Sequence, residues 1–396
     1  MKQPPSLARA KWLRAPSLRQ IFAVIREAGG EARVAGGAVR DALLGFPVAE
    51  VDLATTLSPQ AVTAACAAAG LKVVPTGIDH GTVTVVSDHQ PYEITTLRHD
   101  IETDGRRAKV QYTDDWQADA WRRDFTMNAL YCDERGKTYD FTNGYRDILK
   151  KRIRFAGKPS QRIAEDYLRI LRFFRFHARF GKGTPDKAAL AACIRQRKGL
   201  DGLSAERIRQ EMFKLLAAPG AVPTLKLMHK HGILKWLLPY TEGWRVLARL
   251  PPDPVLRLAG LAADPRAMQE RWRLSKTEAN RIEAILGAMT PTPALRPREQ
   301  RVVLYRLGPA VWRGAVQLGL ARARAPLDDP AWKRLLRLAS RWPIPAMPVT
   351  GRDLIAFGME PGPDMGAVLL RLEDWWLASG FKPGKDELLQ RLKGET

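Results

Sequence analysis

Ala35-Gly36-Gly37-Ala38-Val39-Arg40-Asp41, followed after a short gap by Glu50-Val51-Asp52, is the stretch on which the reading of this chain turns. Arg33 to Ala35 has the composition of a short strand and Val39 to Leu44 that of a helix, with the glycine pair between them. Two glycines at such a junction let backbone N–H groups approach a phosphate, and the helix N-terminus adds positive potential. Arg40 can add a bidentate grip on that phosphate. Glu50 to Ala54 reads as a second strand; residues two apart on a strand share a face, so Glu50 and Asp52 project side by side. Paired carboxylates are what two Mg²⁺ ions about 3.5–4 Å apart require for in-line phosphoryl displacement. Either feature alone is commonplace, a turn or a solvated strand edge. Together, at this spacing, they favour phosphoryl chemistry.

Working outward, Ser17 to Ala28 carries Leu18, Ile21, Phe22 and Ile25 at helical spacing, with Ser17 in the position of an N-cap. Ser58-Pro59 opens a helix running through Ala69, and Leu71–Val74, Thr82–Val86 and Tyr92–Leu97 alternate as strands do. Residues 1–150 therefore read as a small mixed sheet with flanking helices. Arg98 to Asp115 is dense in charge and too poor in apolar residues to pack, which predicts an exposed, mobile loop. From about Ile163 the pattern is helical almost throughout, cut into blocks by prolines at 251–254, 291–297 and 343–348. The expected fold class is α+β: a mixed-sheet head (1–150), a helical neck (151–220) and a helical body and tail (221–396).

Composition narrows the partners. The 396 residues include 64 Lys and Arg against 42 Asp and Glu, a net charge of +22, which favours polyanions and above all nucleic acid. Cys66, Cys132 and Cys193 are far apart, excluding a zinc ribbon or disulfide scaffold and fitting a reducing compartment. No apolar run approaches a membrane span. The first twenty residues carry five basic residues and no acid, but Pro4, Pro5 and Pro16 would break a targeting helix, so the expected compartment is the cytoplasm. No protein partner can be inferred.

The Gly-Gly and acidic constellation resembles the polymerase-β-type nucleotidyltransferases, and more narrowly the class of CCA-adding enzymes and poly(A) polymerases that shows GGxVRD and then LGxxxxDxDxxT. Here the second stretch is Leu44-Gly45-Phe46-Pro47-Val48-Ala49-Glu50-Val51-Asp52-Leu53-Ala54-Thr55, with Glu50 where the family usually has Asp. The resemblance implies a template-independent addition of CCA to the tRNA 3′ end from CTP and ATP, with two Mg²⁺ ions held by Glu50 and Asp52. Tyr92-Glu93-Ile94 fits the superfamily's third carboxylate; Glu93 equally fits the polar face of an alternating strand.

A second constellation, Asp119-Ala120-Trp121-Arg122-Arg123-Asp124-Phe125-Thr126-Met127-Asn128-Ala129, matches the family's RRDFTxNA motif. The match implies that Arg123 and Asp124 contact the ribose and triphosphate, with Asn128 in the same nucleotide site. A carboxylate can accept from ribose hydroxyls, one of which a deoxy-sugar lacks.

The third is Glu165-Asp166-Tyr167-Leu168-Arg169-Ile170-Leu171-Arg172-Phe173-Phe174-Arg175. As one helix it places Glu165, Arg169 and Arg172 on one face, Asp166 beside Arg169, and Leu168, Leu171 and Phe174 on a buried face. A plain amphipathic helix with one salt bridge would look similar. It also fits the family's EDxxR motif, which the resemblance casts as a protein template for the base. Cytosine and adenine each offer an exocyclic amine beside a ring-nitrogen acceptor, whereas uracil and guanine offer a carbonyl beside an N–H. An Asp that only accepts and an Arg that only donates can pair with C or A and reject U and G. Arg172 and Arg175 follow as base or triphosphate contacts.

Asp140 to Leu149 resembles the family's hinge segment, and Ser204 to Ile208 with Glu211 and Lys214 a neck-stabilising element, although a capped helix with surface charge reads the same. Thr350 to Leu354 and Gly362 to Gly366 resemble the terminal helical domain. Thr76 to Val83 resembles the CCA-adding form, and the Arg-Arg-Phe stretch of a poly(A) polymerase is absent. A CC- or A-adding specialist shares every motif; the charged segment at 98–115, implicated in the family's switch to ATP, favours the full CCA enzyme. A non-catalytic RNA-binding protein on a decayed scaffold would not need Asp52, Asp124, Asp166 and Arg169.

Overall fold

A computed structural model describes residues 3–78, 81–104, 107–237, 243–262, 264–287 and 289–393. Up to Leu149 the chain runs α1 (Pro16–Glu27), β1 (Ala32–Ala35), α2 (Gly37–Leu43), β2 (Asp52–Thr55), α3 (Pro59–Ala68), β3 (Lys72–Gly77), β4 (Thr82–Ser87), β5 (Gln90–Thr96), β6 (Arg98–Asp104), β7 (Arg107–Tyr112), α4 (Trp116–Arg122), β8 (Leu130–Cys132), β9 (Thr138–Asp140) and α5 (Gly144–Leu149). Seven of the strands form one mixed sheet in the order β3-β4-β5-β2-β1-β8-β9, with β2 parallel to β5 and the other pairings antiparallel. The α+β reading of the head holds. Leu18, Ile21 and Ile25 of α1 are fully buried, as their spacing requires.

Three local expectations fail, each for a physical reason. Helix α1 begins at Pro16, whose fixed φ suits the first helical position, so Ser17 lies inside the helix and its hydroxyl bonds the Tyr92 hydroxyl at 2.8 Å instead of capping. Strand β2 begins at Asp52, because its ladder with β1 ends at the Ala35↔Asp52 pair where β1 enters the glycine turn; Glu50 precedes the strand. The segment expected to be a loop is the β6–β7 ribbon, paired from Arg98↔Tyr112 to Asp104↔Arg107 with a register shift between Asp100 and Glu102. A two-stranded ladder satisfies its backbone polar groups without an apolar face, so low hydrophobicity did not preclude it. Gly105 and Arg106 of that segment, and Asp79 and His80 of the Thr76–Val83 stretch, lie outside the described residues.

Beyond the sheet come α6 (Pro159–Glu165), α7 (Leu168–Phe180), α8 (Lys187–Gln196), α9 (Ala205–Leu216) and α10 (Ala221–Lys230). Here the fourth correction falls: Glu165 to Arg175 is not one helix. Asp166 breaks it with extended backbone at φ −158°, ψ 107°, and its Oδ1 accepts the Leu168 N–H at 3.1 Å, satisfying a donor at the start of α7. The expected buried face survives within α7, where Leu168, Leu171 and Phe174 are all buried.

The chain forms two compact units, residues 1–238 with 271–273, and residues 239–270 with 274–396. The remaining helices are α11 (Trp244–Leu247), α12 (Pro254–Leu261), α13 (Pro265–Trp272), α14 (Lys276–Leu286), α15 (Pro297–Ala323), α16 (Pro330–Arg341), α17 (Gly351–Ala356), α18 (Pro363–Ala378) and α19 (Lys385–Lys393). Prolines at 254, 265, 297, 330 and 363 each stand at a helix start, the position that tolerates a missing N–H. Trp312 and Trp376 anchor two separate apolar clusters of the second unit.

Candidate active site

The turn that joins β1 to α2 is built around Gly36, at φ +73° and ψ −115°. A side chain there would be strained, and its Cβ would lie 3.4 Å from both Arg123 Nη1 and the Asn128 carbonyl oxygen. Asp52 opens β2 directly across from the end of β1. Leu53 pairs in parallel with Ile94, so the preceding residues, Asp52 and Glu93, stand side by side on the exposed face while Tyr92 and Ile94 face the core. Burial, then the neighbouring Glu93 and Glu50 carboxylates, push the Asp52 carboxyl up to about 6, with Arg123 opposing them. Three acidic groups thus lie near one another beside the central strands β2 and β5. Both readings of Glu93 stand together here: it is the polar face of an alternating strand and also the neighbour of Asp52.

Residues from far along the chain converge on this point. Gly36, Gly37, Arg40, Glu50, Asp52, Arg123, Asp124, Asn128, Asp166, Arg169, Arg172 and Arg175 all line one cleft of about 630 Å³. Two predicted site residues are not in its wall: Glu93 lies beside Asp52 on β5, and Glu165 stands behind Arg169, accepting from its Nη1 at 2.5 Å.

The back of the cleft is a continuous polar chain. Arg40 is buried, stacks 4.6 Å over the Phe180 ring, and donates to Asp41 at 2.8 Å and to Asn128 Oδ1 at 2.6 Å. Asn128 donates in turn to Asp124 Oδ1 at 3.0 Å, and Asp124 Oδ2 accepts from Arg172 Nε and Nη2 at 2.9 and 2.5 Å. The Phe125 N–H, at 2.8 Å, completes the set. Four donors saturate the Asp124 carboxylate, so a ribose hydroxyl reaches it only when one of them gives way. Burial alone would raise this carboxyl; Arg172, Asn128 and the Phe125 amide hold it at about 2. Beyond Arg172 stands Glu211 of α9, 5% exposed, whose oxygens lie 3.6 Å from Arg172 and 2.6 Å from Arg175.

The Asp166 and Arg169 side chains do not pair, although the Arg169 N–H donates to the Asp166 carbonyl oxygen at 3.0 Å. Because the helix breaks at Asp166, its carboxylate turns to Arg207 of α9 at 2.7 Å, and Arg169 is held by Glu165 and by the Arg162 carbonyl oxygen at 2.7 Å. Arg207 reads from sequence only as part of the neck-stabilising stretch Ser204 to Ile208, not as a partner of Asp166; it lies 41 residues away, and the packing of α9 against α7 joins them. Arg122, also in the cleft wall, was legible as the first arginine of the Arg-Arg-Asp run but was passed over for Arg123.

No three His, Cys, Asp or Glu side chains among the described residues converge tightly enough to ligate one ion unaided. Mg²⁺ keeps several waters and is bound through one or two carboxylates plus substrate phosphates, a requirement the Glu50 and Asp52 pair would meet. The mutual repulsion that raises Asp52 is what a cation would relieve.

An acidic pair beside a glycine turn, faced by arginines that can bind phosphate, is the arrangement that nucleotidyl transfer calls for. Residues 32–154 match the family model of the poly A polymerase head domain, and 184–244 that of a probable RNA and SrmB-binding site of polymerase A. The mitochondrial CCA tRNA nucleotidyltransferase 1 of Mus musculus is 35% identical over 95% of this chain and 89% of its own length. The CCA-adding enzyme of Streptococcus mutans serotype c is 30% identical over 94% and 95%. The crystal structure of the Bacillus stearothermophilus CCA-adding enzyme in complex with CTP superposes with a TM-score of 0.79 at 28% identity, covering 96% of this chain and 98% of that one. The chain belongs to the CCA-adding enzyme and poly(A) polymerase family.

Proposed function

We propose that this protein adds or repairs the 3′-terminal CCA of tRNA, using CTP and ATP. The observation that carries the reading is the single cleft in which Asp52, flanked by Glu50 and Glu93, faces the glycine turn and the arginines of α4 and α7. The relatives that span nearly the whole chain bear that activity in their names. Glu50 and Asp52 are the residues that would hold Mg²⁺; bound there, the metal would neutralise phosphate charge and activate the attacking hydroxyl. Gly36 and Gly37 leave room for the phosphates, Arg123 meets their charge, and Asp124 orients the ribose once a donor is displaced. Asp166 and Arg169 read the base edge, with Arg172 and Arg175 beside them. The head (1–150) carries the chemistry, the neck (151–220) base choice, and the body and tail (221–396) the tRNA. No helix among the described residues is long and apolar enough to cross a membrane. The proposed compartment is the cytoplasm, supported by three free buried cysteines.

The product ladder on a tRNA lacking its 3′ end, with CTP, ATP or both, tests this reading. CC from CTP alone and CCA from the mixture are expected. A run of A from ATP alone would make the protein a poly(A) polymerase. Asp52→Ala should abolish addition while Glu50→Asp stays active; near-normal turnover in Asp52→Ala would overturn the metal-site assignment.

A further inference from the structure

We infer that Asp119, with Tyr131, is a positioning residue that presents Arg122 and Arg123 to the triphosphate as one preassembled clamp. The inference rests on the proposed nucleotidyl-transfer reading and deepens it. Asp119 lies on α4, one turn before the two arginines, and its side chain is 0% exposed. Oδ1 accepts from Arg122 Nε at 2.7 Å and Nη2 at 2.5 Å; Oδ2 accepts from Arg123 Nε at 3.2 Å and Nη2 at 3.0 Å. The Tyr131 hydroxyl completes a triangle, donating to Asp119 Oδ2 at 2.7 Å and accepting from Arg123 Nε at 3.0 Å. Tyr131 is itself fixed, fully buried on β8 with its ring edge-on to Trp116 at 5.2 Å.

This geometry uses a chosen edge of Arg123. Nε and Nη2 are consumed by Asp119 and Tyr131, which leaves Nη1 as the end that faces Gly36, on the side where Arg123 also acts on Asp52. The backbone is held as well: Arg162 of α6 donates to the carbonyl oxygens of Arg122 and Arg123. Burial would raise the Asp119 carboxyl, yet Arg123, Arg122 and the Tyr131 hydroxyl hold it at about 2, so it stays charged throughout the working range. One carboxylate shared by two guanidiniums leaves this trio with one net positive charge. An arginine with two rotamer-fixing partners loses little freedom when phosphate arrives, which is how preorganisation raises affinity.

The test uses Tyr131→Phe and Asp119→Asn in the full chain. Tyr131→Phe removes one oxygen and keeps the buried ring, so it reports even where Asp119→Asn does not fold. Three readouts are needed: binding of inorganic tripolyphosphate by calorimetry, binding of cytidine by saturation-transfer NMR, and KM and kcat for CTP on tRNA lacking its 3′ end. Loss of a buried hydrogen bond to a charged group predicts roughly tenfold weaker tripolyphosphate binding and a KM for CTP raised by a similar factor. Cytidine binding should be unchanged. Unchanged tripolyphosphate binding in Tyr131→Phe overturns the inference, as does an equal loss for cytidine and tripolyphosphate, which marks a general loosening of the site. Failure of the unsubstituted protein to bind CTP or extend tRNA would instead sink the proposed function, and is read before any variant is made.

Discussion

Asp52→Asn should make this protein more stable at neutral pH while removing its activity. The Asp52 carboxyl is raised from 3.8 to about 6, chiefly by burial and then by Glu93 and Glu50. About two pK units correspond to roughly 3 kcal/mol at 1.36 kcal/mol per unit. Asp52 presents an exposed surface, so solvent screening reduces this to roughly 1 kcal/mol. The sign follows from the direction of the shift. A folded-state value above the unfolded one means that folding favours the protonated acid, a contribution fully present below about 3.8 and lost as pH rises through about 6. Asparagine cannot ionise and keeps that contribution at every pH. The variant's advantage should therefore grow between about pH 4 and 6 and level off above, near 1 kcal/mol at pH 7.5. Urea unfolding at several pH values in chelator measures it. Excess Mg²⁺ should then stabilise the unsubstituted protein more than the variant and narrow the gap, since ligands that bind only the folded state add stability. A variant less stable at pH 7.5, or a gap of equal size at pH 4.5 and 7.5, refutes the reasoning.

Three further outcomes are expected. Asp166→Ala should incorporate UTP or GTP roughly ten- to a hundredfold better relative to CTP and ATP even as activity falls, because the acceptor that opposes their carbonyls is gone; equal losses for all four triphosphates in primer-extension assays would move base choice elsewhere. Asp119 and Asp124, both held at about 2, add stability above their unfolded value near 3.8 that is lost as pH falls toward 2, so acid unfolding should be steep there and shallower in Asp124→Asn, as circular dichroism across pH 4 to 2 would show. Binding of tRNA should weaken with salt, each neutralised phosphate adding a little less than one unit of log–log slope, and a flat affinity from low to moderate salt contradicts the role assigned to the +22 charge.

What the sequence made legible was local. Gly36-Gly37, the Arg-Arg-Asp run and the alternation of Tyr92-Glu93-Ile94 each announce their geometry within a few residues, and the cleft contains or adjoins all of them. Periodicity also placed Leu168, Leu171 and Phe174 in the core. The failures are of another kind. A helical pattern carried through Asp166 cannot reveal that this side chain prefers the Leu168 N–H to helical backbone, since polar and apolar spacing are the same on both sides of the break. Nothing near Asp166 in sequence points to Arg207, nor near Arg172 to Asp124. Those partners depend on which helices pack together, and tertiary packing leaves no short-range signature.

The missed partners bear on how the site must work. Asp124 has all four acceptor positions filled, Asp166 is shared between Arg207 and a backbone N–H, and Arg169 is held by Glu165. A nucleotide that engages these groups exchanges partners instead of filling vacancies, so its net gain is the difference between two sets of charge-assisted bonds. Such a difference is small for any single contact, which makes the base edge a better discriminator than an anchor: a mismatch loses the exchange without recovering the bond given up. The triphosphate has no such handicap, because Arg123 keeps Nη1 directed at the glycine turn while Asp119 and Tyr131 occupy its other edge. On the proposed function, affinity in this cleft would come mainly from the phosphates on the head side and selectivity from the exchange on the neck side. Substitutions in the two groups should separate accordingly, those around Arg123 acting on CTP and ATP alike and those around Asp166 acting on their ratio to UTP and GTP.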